Sequence, residues 1–142
     1  MELAKTENKD FINLGVVLNN EGEILLIRRA RREIGKGGAI LNWAFPGGLQ
    51  REKEDKKECV RRKVLEETGY AVVWVEEISS RVHPQFPLTI FYHLCRLNSS
   101  KQVAEPKEPH EVAEIRWVKP EEIRSLITTD LDPRVAKILG LG

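Results

Sequence analysis

The sequence has few of the features that mark specialised protein classes. It contains two cysteines in 142 residues, Cys59 and Cys95, too few for a disulfide framework, so both are expected to be reduced core thiols. No apolar run reaches membrane-spanning length and the N-terminus lacks the pattern of a signal peptide. We therefore expect a cytoplasmic protein without membrane contact.

An excess of one charge is also missing. Lys and Arg number 23 and Asp and Glu number 22, which gives a formal net charge of +1. Such a balance provides no bulk attraction for nucleic acid, so any phosphate binding must be local. The length suits a single domain over residues 1–142, with residues 1–9 polar and expected to be flexible.

The most informative stretch is residues 47–70, GGLQREKEDKKECVRRKVLEETGY. A glycine pair and a charged loop precede a segment with helical spacing, in which Val60 and Val64 form an apolar row. Gly69 can adopt the left-handed conformation that ends a helix. The pattern predicts a helix from Glu54 to Thr68.

The carboxylates of this helix allow two interpretations. Hard oxygen ligands behind a glycine turn suit Mg²⁺, which takes one or two carboxylates and completes its shell with water and substrate phosphates. Adjacent glutamates such as Glu66 and Glu67 also occur on solvated helices held by salt bridges. Spacing within the helix alone does not distinguish a metal site from a solvated helix held by salt bridges.

The wider spacing resembles the Nudix box, Gly-x5-Glu-x7-Arg-Glu-U-x-Glu-Glu-x-Gly-U, in which U is a bulky apolar residue. The lead-in Phe45-Pro46-Gly47-Gly48 also resembles that of the Nudix hydrolases. One fixed position departs from the pattern, because Lys63 stands where the family has glutamate. The matching positions are Gly48, Glu54, Arg62, Val64, Glu66, Glu67, Gly69 and Tyr70.

The resemblance implies an α/β/α sandwich with a mixed central sheet, which agrees with the order of the other segments. We predict a hairpin, further strands around the box helix, and helices that begin at Pro120 and near Pro133. Loops are predicted at residues 81–88 and 98–109. The predicted strands are Asp10–Leu18, Glu23–Arg29, Ala71–Ser80, Thr89–Leu97 and Glu114–Val118.

The resemblance also implies the chemistry: hydrolysis of a nucleoside diphosphate linked to another group, with Mg²⁺, or Mn²⁺, as cofactor. Glu66 and Glu67 match the catalytic pair that binds metal, and a backbone carbonyl near Gly47 would complete the protein ligands. Gly48 is expected beside the substrate. Glu54 and Arg62 match positions that brace the loop and the helix. A small nucleotide is thus the expected partner of a monomer or homodimer.

Lys63 puts this chemistry in question. An ammonium in place of a carboxylate changes the local charge by two units, so the metal must bind more weakly unless the lysine turns away, for example towards Glu67 one helical turn on. Two functions follow from this. One is an enzyme with a modified metal site, and the other is a module that binds a nucleotide without hydrolysing it.

Residues outside the helix supply further candidates. The resemblance implies that a further glutamate, from a loop before the strand that contains Trp117, can act as general base, and Glu111, beside His110, is our first choice over Glu105, Glu108 and Glu114. Arg28 and Arg31 belong to a basic run that either binds an anionic substrate tail or forms a solvated strand end. Candidates for stacking on a base, each of which also suits the core, are Trp43, Phe86 and Tyr92.

Overall fold

The computed structural model describes residues 7–34, 40–83, 87–107, 111–127 and 131–141. Three α-helices occur within these ranges: α1 (Lys56–Thr68), α2 (Ile123–Leu126), which follows a 3-10 turn at Pro120–Glu122, and α3 (Pro133–Ile138). The strands in these ranges are β1 (Glu7–Leu18), β2 (Ile24–Ile34), β3 (Ile40–Ala44), β4 (Gly47–Arg51), β5 (Val72–Val82), β6 (Thr89–Leu97) and β7 (Val112–Val118).

The strands form one mixed sheet. Its main order is β3-β2-β1-β6-β5, while β4 pairs with β1 and β7 pairs with β2. The central strands β1 and β6 run parallel, and the other pairs are antiparallel. This confirms the predicted hairpin, in which Leu18 of β1 lies opposite Ile24 of β2.

Helices cover both faces of the sheet. Neighbouring strand residues point to opposite faces, so Val16 and Val17 enter different clusters. Val17 lies in the cluster with Val60 and Val64 of α1, and Val16 lies in the cluster with Ile123 of α2 and Val135 of α3. The α/β/α sandwich is therefore confirmed.

Strand β1 changes partner along its length, and this change positions the glycine pair. It meets β2 at Leu18, whereas further back Leu14 lies opposite Gly47 of β4. Between these points the amide of Gly15 donates a hydrogen bond to the carbonyl of Pro46 at 2.8 Å. The turn that contains Pro46 thus brings Gly47 beside α1.

Helix α1 begins slightly later than the sequence predicts. Asp55 is the N-cap, since its carboxylate accepts a hydrogen bond from the amide of Glu58 at 2.8 Å, so the helix starts at Lys56 and Glu54 precedes it. The predicted end is confirmed, because Gly69 has φ 77° and its amide bonds to the carbonyl of Leu65.

Other boundaries also differ from prediction, since β2 continues to Ile34, five residues beyond Arg29. Residues 7–9, expected to be flexible, belong to β1, where Glu7 and Asn8 pair with β4. Strand β5 extends through Val82, into the predicted loop at 81–88. Strand β7 begins at Val112, two residues before Glu114. The candidates Phe86 and His110 lie outside the described residues.

Cys59 and Cys95 are both buried free thiols, as predicted. Burial raises the pKa of each to about 12, so neither is a reactive thiolate at neutral pH. Among the helices of the described ranges, none has the length and apolar character needed to cross a membrane.

Candidate active site

The turn into β4 holds Gly47 against the end of α1. Gly47 has φ 153°, and a Cβ atom there would lie 2.1 Å from the carbonyl oxygen of Asn13, so the position requires glycine. Its amide donates a hydrogen bond of 2.7 Å to Oε1 of Glu67. The two candidate ligands Gly47 and Glu67 are therefore in direct contact, although they are 20 residues apart.

Gly48 makes room for a different side chain. A Cβ atom at Gly48 would lie 2.6 Å from Cε of Lys63 and 3.4 Å from its Nζ, so the lysine stem crosses directly over this glycine. The Lys63 side chain is 11% exposed, and its Nζ lies 4.0 Å from Oε1 of Glu66. The ammonium group thus lies between the glycine turn and the carboxylate pair.

Arg62 joins the loop before α1 to the helix. Its Nε and Nη2 donate to the two oxygens of Glu54 at 2.6 and 2.9 Å, and its Nη1 donates to Oε1 of Glu66 at 2.9 Å. Burial alone would raise the pKa of the Glu54 carboxyl, but hydrogen bonds from Arg62 and the Arg51 amide outweigh it and the pKa is lowered. The same ion pair raises the pKa of Arg62. Arg62 thus connects Glu54, which precedes the helix, to Glu66 within it, and the bracing role of both residues stays a prediction.

Three cationic groups surround Glu66. Besides Arg62 and Lys63, Nη2 of Arg51 lies 3.9 Å from Oε2 of Glu66. Arg51 was not among the residues selected from the sequence, because its contact with Glu66 depends on how β4 lies along α1. Its position in the charged loop after the glycine pair was the available signal.

The possible metal ligands at this end of α1 fit a divalent cation that obtains most of its coordination shell from water and substrate. Across the described residues, no group of three or more His, Cys, Asp or Glu side chains is arranged to hold a metal. Glu66 and Glu67 offer two carboxylates at one end of α1, with the backbone of Gly47 against Glu67, and Mg²⁺ accepts such a modest protein share. Water and substrate phosphates would have to supply the remaining ligands.

The segment after β6 is fastened to the same end of α1. Gln102 Nε2 donates to the carbonyl of Thr68 at 2.8 Å, and the amides of Val103 and Lys107 donate to the carbonyls of Gly69 and Glu66 at 2.8 and 2.7 Å. These bonds satisfy carbonyls that the helix end leaves unpaired. Residues 98–107 have neither helix nor strand, as predicted, but they are anchored beside the candidate site.

Glu111 lies just before β7, where its carbonyl accepts a hydrogen bond of 2.9 Å from the amide of Ala30 in β2. Its side chain is exposed. Glu111 therefore lies at the end of the β2–β7 pairing where β7 begins, later in the chain than residues 98–107. Its catalytic role stays a prediction.

Arg28 faces away from α1. It follows Leu26, a member of the cluster on the α2 and α3 side, and pairs across to Glu114 of β7, whose Oε1 lies 3.2 Å from Arg28 Nε. Hydrogen bonds from Arg116 and Arg28 lower the pKa of Glu114. Arg31 is an exposed residue of β2. A phosphate-binding role for Arg28 and Arg31 stays a prediction.

The structure shows the surroundings of two of the candidates for stacking on a base, Tyr92 and Trp43. Tyr92 is 5% exposed and lies in the core cluster, edge-on to Phe45, so the core interpretation is correct for it. Trp43 packs against the same cluster, and the guanidinium of Arg116 lies 4.5 Å from its ring centroid. The face of Trp43 is therefore already partly covered by a cation.

A partly buried chain of hydrogen bonds that leads to Glu54 was missed by sequence reasoning. Trp74 Nε1 donates to His93 Nδ1 at 3.0 Å, which leaves the His93 Nε2 proton for Oδ1 of Asn13 at 2.8 Å. Asn13 then donates to Gln50 at 3.0 Å, and Gln50 donates to the Glu54 carbonyl at 2.7 Å. The chain links β5, β6, β1 and β4 to the residue that holds Arg62.

His93 is suited to this role because it is neutral. It is 1% exposed, and burial lowers its pKa to about 4. The polar residues Asn13 and His93 within the apolar runs FINLGVV and TIFYHLC were the sequence signal for a buried network. Their partners lie in other strands, so the spacing along the chain did not indicate what they bind.

Comparisons with known proteins agree with this fold. The family model described as the NUDIX domain matches residues 12–139, and the chain therefore belongs to the Nudix family. The mouse protein named nucleoside diphosphate-linked moiety X motif 6 is 30% identical over 145 aligned positions, which cover 86% of this chain and 46% of that protein. A putative 8-oxo-dGTP diphosphatase of Bacillus subtilis is 28% identical over 105 positions, which cover 74% of this chain and 63% of that protein.

Solved structures are similar over most of the chain. A NUDIX hydrolase from Nitrosomonas europaea has a TM-score of 0.72 at 19% identity and covers 94% of this chain and 72% of that one. A MutT protein from Methanosarcina mazei Go1 has a TM-score of 0.63 at 25% identity and covers 92% and 89%. The chain spans between 31% and 63% of the length of the curated relatives that it matches.

Proposed function

We propose that this protein hydrolyses a nucleoside diphosphate linked to another group, with Mg²⁺ or Mn²⁺ held by Glu66, Glu67 and the Gly47 carbonyl. The observation that carries the proposal is the hydrogen bond of 2.7 Å between the Gly47 amide and Glu67. It brings the glycine turn against Glu67 at the end of α1, which supports a common site for phosphate and cation. The names of the relatives agree with a nucleotide substrate.

The reaction replaces a phosphoanhydride bond with two phosphate ends. Water forms a bond to one phosphorus, the bridging oxygen leaves with the other phosphate, and the water proton passes to a base, for which Glu111 is the candidate. A divalent cation, when bound, would stabilise the charge that develops on the phosphate oxygens. The residues of this chain would orient the phosphates: Gly48 through its backbone, and Arg51, Arg62 and Lys63 through positive charge.

A second candidate function is nucleotide binding without turnover. The observation that favours it is the position of Lys63, whose ammonium lies 4.0 Å from a proposed metal ligand and carries the charge opposite to that of the usual glutamate. In this case the chain would bind a diphosphate group through its cations. Hydrolysis would be absent or very slow.

The two functions are separated by a nucleotide panel. Purified protein is incubated with Mg²⁺ or Mn²⁺ and nucleoside triphosphates, oxidised nucleotides, ADP-ribose and dinucleoside polyphosphates, and the release of phosphate, pyrophosphate and nucleoside monophosphate is measured. Metal-dependent release that is lost in Glu67→Gln supports the enzyme. Saturable binding of a panel member without release supports the binding module and contradicts the enzyme.

A further inference from the structure

The Lys63 side chain lies between Gly48 and Glu66, one of the proposed ligands of the divalent cation. The lysine stem crosses Gly48, and its ammonium lies 4.0 Å from Oε1 of Glu66. The same oxygen accepts a hydrogen bond of 2.9 Å from Arg62. A free divalent cation that approached Glu66 would therefore meet two positive groups already engaged with its ligand.

The charge balance around Glu66 also disfavours the binding of a free divalent cation. Three cations, Arg51, Arg62 and Lys63, lie near three carboxylates, Glu54, Glu66 and Glu67. With glutamate in place of Lys63 the same cluster would carry two net negative charges, whereas here it is neutral. Because Lys63, Arg62 and Glu66 are at most 21% exposed, the charge difference is only partly screened and acts on cation affinity.

A nucleotide can supply what this neutral cluster lacks. Its phosphates bring negative charge and oxygen ligands for the cation, and Mg²⁺ in proteins commonly obtains part of its shell in this way. The Lys63 ammonium is a compact charge on a flexible stem, and Gly48, over which the stem lies, has no side chain of its own. It can turn from Glu66 to a phosphate oxygen when the substrate enters.

We infer that the free protein does not hold a resident divalent cation at Glu66 and Glu67, and that the cation joins the site only together with the substrate phosphates, which Lys63 contacts directly. The inference rests on the proposed function, since it concerns the same site. It goes further by fixing the order of binding. Lys63 both excludes the free cation and selects the cation that arrives with a diphosphate.

The test measures manganese binding without turnover. Protein is dialysed to equilibrium against Mn²⁺ alone or against Mn²⁺ with methylenediphosphonate, a diphosphate analogue with a non-hydrolysable P–C–P linkage, and retained manganese is measured by atomic absorption. The parent is compared with Lys63→Glu, Lys63→Gln and a control, Lys137→Glu. Lys137 is an exposed residue of α3, so the control makes the same charge change on the other side of the sheet.

We expect the parent to bind Mn²⁺ alone at least about tenfold more weakly than Lys63→Glu does, and methylenediphosphonate to strengthen its Mn²⁺ binding at least about tenfold. Lys137→Glu should match the parent. In Lys63→Gln, which removes the charge without adding a ligand, Mn²⁺ alone should bind at least about threefold more tightly than in the parent. That variant carries the comparison if circular dichroism shows Lys63→Glu to be unfolded.

Two results would overturn the inference. One is a parent protein that binds Mn²⁺ alone as tightly as the Lys63 variants do, and the other is a parent whose Mn²⁺ binding is unaffected by methylenediphosphonate. Neither depends on hydrolysis, so the proposed function is judged separately by the nucleotide panel. If the protein hydrolyses nucleotides but binds Mn²⁺ tightly on its own, only the inference is wrong. If it shows the expected Mn²⁺ binding but no hydrolysis, only the proposed enzymatic function is wrong.

Discussion

Arg62 and Glu54 form a two-point ion pair, with Nε and Nη2 of the guanidinium 2.6 and 2.9 Å from the two carboxylate oxygens. The side chains are only 18% and 10% exposed, and Arg62 also holds Glu66. Glu54→Gln would leave the Arg62 charge poorly compensated. We expect it to lower the free energy of unfolding at pH 7 by about 2 kcal/mol, measured by urea denaturation.

The pH dependence of that loss has a definite sign. Because the folded pKa of Glu54 is lowered, its contribution is complete above the unfolded pKa, near 4.5, and disappears as pH falls through the folded value. Parent and Glu54→Gln should therefore converge in strong acid. Glu58→Gln, at an exposed position of the same helix, is the control and should stay within about 0.5 kcal/mol of the parent.

The carboxylate pair is tested by Glu66→Gln and Glu67→Gln. Each change keeps the side-chain shape but removes the negative charge of a proposed metal ligand, so we expect turnover to fall at least about a hundredfold, or roughly 2.7 kcal/mol of transition-state stabilisation. In Glu67→Gln the amide oxygen can still accept the Gly47 hydrogen bond, and in Glu66→Gln it can still accept that of Arg62, so the fold should persist. A folded variant with near-parental turnover at saturating Mg²⁺ would show that its residue is not a metal ligand. Glu58→Gln again serves as the control.

The arginine run is tested by the double change Arg28→Gln and Arg31→Gln. If these side chains bind a substrate tail, KM should rise at least about fivefold while kcat changes little, because such contacts stabilise ground and transition states alike. Steady-state kinetics at low salt give both constants, with Lys137→Gln as a control for lost surface charge. An unchanged KM would leave Arg28 as the partner of Glu114 in a surface ion pair.

Local patterns predicted much of this molecule. The end of α1 at Gly69, the apolar row of Val60 and Val64, and the layer order follow from helical spacing, glycine chemistry and the resemblance. The start of α1 was placed two residues early because either Glu54 or Asp55 suits the first turn. Only the structure shows that Asp55 is the cap and that Glu54 turns to Arg62.

Contacts between distant segments were harder to foresee. The sequence left open whether Lys63 points away from the site. In the structure its stem lies over Gly48, in space that a side chain at that position would fill, and sequence spacing does not reveal this contact. Arg28 was grouped with Arg31 by composition, but strand alternation and Glu114 place Arg28 on the face opposite α1. The core position of Tyr92 depends on the parallel pairing of β1 with β6, whose partners lie far apart in sequence.

The buried histidine gives a second prediction for pH. Because the pKa of His93 is about 4 in the folded protein and near 6.5 when unfolded, the unfolded state binds more protons between these values. Stability should be complete above pH 6.5 and fall towards pH 4, by at most about 1.4 kcal/mol per pH unit. Urea midpoints in a pH series should show this slope in the parent and lose it in His93→Gln. A slope that persists in a folded His93→Gln protein would assign it to other groups.

The two glycines of the turn should respond very differently to the same added methyl group. In Gly47→Ala the Cβ would lie 2.1 Å from the backbone oxygen of Asn13, at a φ of 153° that alanine rarely adopts, so we expect a loss of about 3 kcal/mol or more, or failure to fold. In Gly48→Ala the obstacle is Cε of Lys63, at 2.6 Å, on a side chain that can move. That variant should therefore fold with a loss of about 1 kcal/mol or less, because displacing the lysine relieves the contact. Thermal denaturation compares the pair directly, and equal losses would contradict the described path of the Lys63 side chain over Gly48.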